Sequence, residues 1–219
     1  MLRTQTRYAI DPTTAKTLDT EQLRNHFHIG ELFHDGAVNL VYSHYDRLIV
    51  GGAVPAGKTL TLDHVAETGT ANMLERREMG VLNIGEEGEV SVGGNRYPIK
   101  RGEILYIGMG SGVVEFSGAG RFYFLSAPAH RSCPTRLVRL DDAKKVPLGS
   151  KEQANERVIY QLIHPDVVES FVCDKAGHIG QVLGTPWILK HPQPTPAAQN
   201  AGVQRNAPSG DINIGSKTL

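Results

Sequence analysis

Two stretches of the chain hold side chains able to do chemistry. The first is Asn39 to Val50, NLVYSHYDRLIV. Read as one strand, it places Tyr42, His44 and Asp46 on one face and Ser43, Tyr45 and Arg47 on the other. Three hydrogen-bonding side chains on one strand face either line a wet pocket or meet another subunit. The second stretch sets Glu75, Arg76, Arg77 and Glu78 in a row. Strand alternation gives Glu75 and Arg77 one face, Arg76 and Glu78 the other. Such a row is either a solvated edge that charge keeps from pairing, or a site where arginines grip a carboxylate. The candidate substrate-binding residues are therefore Tyr42, His44, Asp46, Arg47, Glu75, Arg77 and Glu78. No residue is assigned a catalytic role.

Metal-ligand spacing is poor throughout. His26 and His28 are two apart at the end of a short helix, but no carboxylate stands four or five residues after His28. His178 and His191 are thirteen apart in Gly/Pro-rich surroundings, without a carboxylate at usable spacing. Cys133 and Cys173 are forty apart and read as free thiols.

The elements that must position these residues are short strands. Leu74 to Gly110 alternates apolar runs with Gly-rich turns: Val81–Ile84, the turn Gly85–Gly88, Glu89–Val92, the hairpin signal Gly93-Gly94-Asn95, Tyr97–Ile99 and Ile104–Ile107. This pattern predicts tight antiparallel hairpins. Upstream, residues 1–16 read as a polar arm. Asp19 caps a short helix with Gln22 three residues on. Gly51-Gly52 ends the first strand, and Lys58–Leu62 supplies another. Downstream, Val113–Phe116 and Arg121–Leu125 continue the sheet, the latter with the weak alternation of a strand buried on both sides. Asp141–Lys151 reads as a connector, and Arg157–Ile163 opens a further β unit.

The predicted organisation is all-β. Residues 1–150 hold a complete barrel with its arm and connector. Residues 151–172 begin a second barrel, which is truncated and leaves an unpaired edge at Arg157–Ile163. Residues 173–219 form an aperiodic tail in which His191–Asp211 has the composition of disorder. The 219 residues carry 23 basic and 23 acidic side chains, a net charge of zero, so no basic stripe invites nucleic acid. The start of the chain has no secretion signal, and no run is long enough to span a membrane, which predicts a cytoplasmic protein.

The order of Glu78, Gly85 and the Arg101–Tyr106 segment resembles the core of a cupin, a small jelly-roll barrel. Four blocks make the resemblance specific: AKTLDTEQLRNHF, VYSHYDRLIVGG, LERREMGVLNIGEEG and SAPAH. They resemble the bacterial 5-keto-4-deoxyuronate isomerases, also called 4-deoxy-L-threo-5-hexosulose-uronate ketol-isomerases, which are bicupins. The resemblance covers about Ala15 to Glu169. It implies an aldose–ketose isomerase that converts 5-dehydro-4-deoxy-D-glucuronate to 3-deoxy-D-glycero-2,5-hexodiulosonate in pectin and uronate breakdown. It also implies a homo-oligomer, a hexamer in the family, and a zinc ion held by three His and one Glu of the second barrel.

Here the sequence departs from the family. After Glu169 no HxH followed by Glu is found. In the first barrel, a ligating Glu78 would require histidines near 71–74, where the chain has Ala71, Asn72, Met73 and Leu74. Zinc ligands are thus not found, and the first barrel is expected to be metal-free. The change of character after Cys173 fits later codons read out of frame, or a genuine variant. Two functions follow: an isomerase by descent with impaired turnover, or a metal-free cupin that oligomerises or holds a sugar acid.

Overall fold

The computed structural model describes residues 1–170 and 188–190. The chain runs through β1 (Leu2–Arg7), two short helices, α1 (Pro12–Ala15) and α2 (Thr20–Phe27), then β2 (Ala37–Ser43), β3 (Ile49–Val54) and β4 (Leu60–Leu62). It continues with β5 (Arg77–Asn83), β6 (Gly88–Val92), β7 (Asn95–Ile99), β8 (Ile104–Ile107), β9 (Val114–Gly118) and β10 (Phe122–Pro128). The last strands are β11 (Arg136–Val138), β12 (Lys144–Leu148), β13 (Arg157–Gln161) and β14 (Ile188–Lys190).

Seven strands form one sheet in the order β1-β2-β3-β10-β5-β8-β11, and four form a second in the order β4-β9-β6-β7. Pairing is antiparallel except between β1 and β2. The inner faces meet in one apolar core. Leu40, Met79, Val81, Phe122 and Phe124 of the large sheet pack with Leu62, Val90, Val114 and Phe116 of the small one. Phe116 lies 5.4 Å from Phe122 and 5.9 Å from Phe124 between ring centroids. Each fully buried aliphatic or Phe side chain contributes about 1.5–3 kcal/mol, so this face-to-face burial holds the two sheets together. The architecture is all-β and cupin-type, as the strand pattern predicts.

Several local expectations are corrected. Asn39–Val50 is not one strand but a hairpin, β2 and β3 joined by a turn at Tyr45–Leu48. Asp46 and Arg47 both take positive φ, 52° and 54°, the signature of a type I′ turn whose twist matches the flanking strands. Leu48 N–H donates to the Tyr45 carbonyl at 3.2 Å, and Ser43 N–H to the Leu48 carbonyl at 2.8 Å. Gly51-Gly52 does not end a strand; it lies inside β3. A Cβ on Gly51 would sit 2.1 Å from the Phe124 ring, and one on Gly52 would sit 2.6 Å from the Leu32 carbonyl oxygen. The glycines are there for close approach rather than for a turn.

The hairpin at Gly93-Gly94 is present, with φ of 58° and 77°. Gly85–Gly88, by contrast, crosses from one sheet to the other. Asn83 organises that crossing with all its hydrogen-bonding capacity: Nδ2 donates to the Glu86 and Ile99 carbonyls, each at 2.7 Å. Its Oδ1 accepts from Gly85 N–H at 3.0 Å and Arg121 N–H at 3.2 Å. The polar arm is also more ordered than its composition suggests. Residues Leu2–Arg7 pair in parallel with β2, and the Asp19/Gln22 capping box starts α2. Strand β10 alternates buried and half-buried residues, rather than being buried on both sides.

The supposed connector contains β12, which pairs with β13, and β13 pairs in turn with β14. Arg157–Gln161 is therefore the central strand of a three-stranded sheet, not an unpaired edge. Beyond it, Leu162, Ile163, Val167 and Val168 cover Leu82, Ile104 and Tyr106 on the outer face of the large sheet. The expected tail lies outside the described residues, apart from strand β14, as do Cys173, His178 and His191.

Candidate functional site

One end of the barrel, where β2 and β10 finish and β5 begins, gathers polar groups onto an otherwise apolar inner face. Ile49, the register partner of Tyr42, pairs across β3 with Ser126, and Ser126 pairs with Met79, so Tyr42, Ser126 and Arg77 share this end. Arg77 has the same strand parity as the core residues Met79 and Val81 and is only 5% exposed. Its Nε donates to Ser126 Oγ at 3.1 Å; its Nη2 donates to the Ser126 carbonyl at 2.9 Å and to the Arg47 carbonyl at 2.6 Å. Every acceptor is neutral. Burial draws the guanidinium pKa down to about 10, with the nearby Arg47 charge adding to the fall and Tyr42 opposing it. The side chain stays cationic at neutral pH.

Around it stand Tyr42, buried in the core cluster, and His44, exposed at the strand end. The His44 ring meets Tyr42 edge-on at 5.4 Å and stacks on Tyr8 at 4.7 Å with 13° between planes. Thr6, the register partner of Tyr42, donates from Oγ1 to Glu67 Oε1 at 3.4 Å. Glu67 Oε2 is buried and has no hydrogen-bond partner.

The predicted site residues therefore divide. Tyr42, His44, Arg77 and the backbone of Arg47 come together. The side chains of Asp46 and Arg47 are exposed at the turn. Glu75 does not share a strand face with Arg77, because Met73–Arg76 forms a 3₁₀ turn before β5 starts. Its carboxylate accepts from Ala71 N–H at 3.3 Å and lies 4.0 Å from Arg76 Nε, at the surface. The charged row is thus split: Glu75 and Arg76 are solvated, while Arg77 and Glu78 are buried.

Glu78 is fully buried on the opposite, outer face of the large sheet. There the Tyr106 hydroxyl donates to its Oε2 at 2.6 Å. Burial first, then the Glu78 contact, pushes the Tyr106 phenol well above its ordinary range. Sequence reasoning missed Thr6, Tyr8, Glu67 and Ser126. The alternation in LRTQTRY was a usable strand signal for the first two; nothing local marks Glu67 or Ser126.

The family resemblance implies zinc, and the described residues do not fit it. Glu78, at the position of a cupin's ligating carboxylate, faces away from the barrel interior and is held by Tyr106. Among the described residues, no group of three or more His, Cys, Asp or Glu side chains is placed to hold a metal ion.

The KduI/IolB family profile matches residues 28–173. The chain belongs to the KduI/IolB family. A protein of Cereibacter sphaeroides named 4-deoxy-L-threo-5-hexosulose-uronate ketol-isomerase is 59% identical over 170 residues, 78% of this chain and 62% of the relative. Relatives of the same name are 56% identical in Agrobacterium fabrum, over the same shares, and 44% identical in Shouchella clausii, over 75% of this chain and 61% of that one. The chain thus spans about three fifths of the length of the curated relatives it matches. Among solved structures, an IolB-like protein of Salmonella typhimurium LT2 aligns with TM-score 0.43 and 14% identity, covering 56% of this chain and 46% of that one.

Proposed function

We propose that the chain is a uronate ketol-isomerase of the KduI/IolB family, converting 5-dehydro-4-deoxy-D-glucuronate to 3-deoxy-D-glycero-2,5-hexodiulosonate in pectin and uronate breakdown. The observation that carries this reading is 59% identity across 170 residues with a relative of that name. Such a reaction moves a proton alpha to a carbonyl and stabilises an enediolate. What the described residues offer towards it is binding and orientation: a buried guanidinium, a phenol and an imidazole at one barrel end. The same reading makes the protein a cytoplasmic homo-oligomer, a hexamer by the resemblance, acting on a small molecule without nucleic acid or membrane. It takes residues 1–150 as barrel with arm and connector, and 151–172 as the start of a second β unit. In support of a second unit, β13 lies in a sheet separate from the barrel's two, although that sheet also takes in β12 of the connector.

One observation favours a second reading. The barrel interior is filled by Phe116, Phe122, Phe124, Leu105 and Met79, all at most 1% exposed. A metal-free cupin that oligomerises or holds a sugar acid without turnover fits that packing. Assaying isomerisation of the deoxyketouronate beside zinc content of the purified chain separates the two. Turnover with about one zinc per chain supports the isomerase. A folded, zinc-free protein without turnover overturns it in favour of the binding module.

A further inference from the structure

Several polar atoms at the barrel end described above have no hydrogen-bond partner among the described residues, among them Arg77 Nη1, the Tyr42 hydroxyl and Glu67 Oε2. Arg77 is buried among neutral acceptors, and no carboxylate pairs with it among the described residues. Its bonds use Nε and Nη2, which leaves Nη1 unused. The Tyr42 hydroxyl, within electrostatic reach of Arg77, makes no hydrogen bond among the described residues either. Across the β1–β2 pairing from Tyr42, Thr6 holds one oxygen of Glu67 and leaves the other, Oε2, buried and unpaired.

These groups are complementary in kind. A buried guanidinium without a counter-charge is costly, and an oxyanion that approaches Nη1 and a phenol hydroxyl relieves that cost through charge-assisted bonds. An orphaned buried carboxylate oxygen needs a donor. A molecule with a carboxylate at one end and a hydroxyl at the other supplies both. The His44 ring, edge-on to Tyr42 and stacked on Tyr8, forms with Tyr8 a wall against which its carbon skeleton can lie.

We propose that this barrel end is a binding site for a small hydroxycarboxylate, its carboxylate held by Arg77 Nη1 and the Tyr42 hydroxyl and a hydroxyl donating to Glu67 Oε2. The site stands whether or not the chain isomerises anything.

Calorimetric titration of the full chain with D-galacturonate, beside D-galactose as the same ring without the carboxylate, tests the site. Saturable binding of galacturonate and none of galactose is expected. Tyr42→Phe and Glu67→Gln, each checked for native circular dichroism, are expected to weaken binding about tenfold, the loss of one hydrogen bond to a charged group. Arg77→Lys, checked for native circular dichroism, is expected to weaken it further. Absence of saturable galacturonate binding by the folded wild-type chain overturns the proposal. So does equal affinity for galactose, or affinity unchanged in both Tyr42→Phe and Glu67→Gln. Because binding is read without turnover, failure here leaves the isomerase assay unaffected, and failure of that assay leaves this site standing.

Discussion

Arg77 Nη2 donates to the backbone carbonyl of Arg47 at 2.6 Å, so a buried guanidinium on β5 fastens the tip of the β2–β3 hairpin. The same nitrogen reaches the Ser126 carbonyl on β10. One side chain on β5 thereby ties β10 and the β2–β3 turn together at the barrel end that carries the candidate site.

Replacing it should be expensive. Arg77→Met leaves two carbonyls and the buried Ser126 hydroxyl without their donor. The expected loss is about 2–4 kcal/mol, allowing for the desolvation of the charge that is no longer needed. Urea unfolding followed by circular dichroism measures it. A loss under about 0.5 kcal/mol, the level of an ordinary surface substitution, sinks the clamp.

Tyr106 gives the molecule an alkaline weakness. The folded state holds its phenolic proton well past the ordinary value of 10.0, through burial and the bond to Glu78, whereas the unfolded chain releases it near that value. The stability this represents is present below about pH 10 and drains away as pH rises beyond it. Tyr123, also raised by burial, acts in the same direction. Arg77, lowered from 12.5 to about 10, acts in the opposite one, because its folded form gives up the proton first. Two tyrosines against one arginine predict a falling urea midpoint above about pH 10. In Tyr106→Phe that fall should shrink, against a baseline about 1–3 kcal/mol lower because a buried carboxylate oxygen loses a donor. An identical alkaline slope in the variant would remove Tyr106 from the account.

Gly51 is a packing position. Gly51→Ala sets a Cβ 2.1 Å from the Phe124 ring, an overlap that core packing relieves only by displacing the ring. A cost of about 1–3 kcal/mol is expected, with partial recovery in the double variant Gly51→Ala/Phe124→Leu. Equal costs with and without the second substitution would mean that the clash lies elsewhere.

What the sequence shows and hides follows from these same residues. Strand periodicity and the Gly93-Gly94 turn are local signals, and they locate the β-rich core correctly. Gly51-Gly52 misleads because glycine has two uses, turning and close approach, and only the partner ring of Phe124 tells them apart. The row Glu75–Glu78 misleads because a 3₁₀ turn resets the alternation at Arg77. It divides one apparent patch among the solvent, the barrel interior and the outer face. Glu67 and Ser126 were illegible for another reason. They reach the site across separations of 61 residues from Thr6 and 49 from Arg77, and no local pattern encodes such a meeting. Most of the fold is written in short-range periodicity; the site is written in long-range register.

The β2–β3 turn separates the two possible roles of Arg47. Its φ of 54° is the left-handed conformation that glycine adopts freely and a β-carbon resists. Its carbonyl, not its exposed side chain, is what Arg77 holds. Arg47→Gly keeps the carbonyl, removes the steric resistance, and produces the Asp-Gly pair that type I′ turns favour. It also takes away the like charge that contributes to lowering the Arg77 pKa. The variant is therefore expected to gain about 0.5–1 kcal/mol in urea unfolding, the usual scale for relieving one strained turn residue. Galacturonate affinity should stay within about threefold of wild type, less than the effect of one hydrogen bond to a charged group. A destabilised variant would show that the Arg47 side chain makes a stabilising contact of its own. A larger loss of affinity would place its guanidinium, rather than its backbone, in the site.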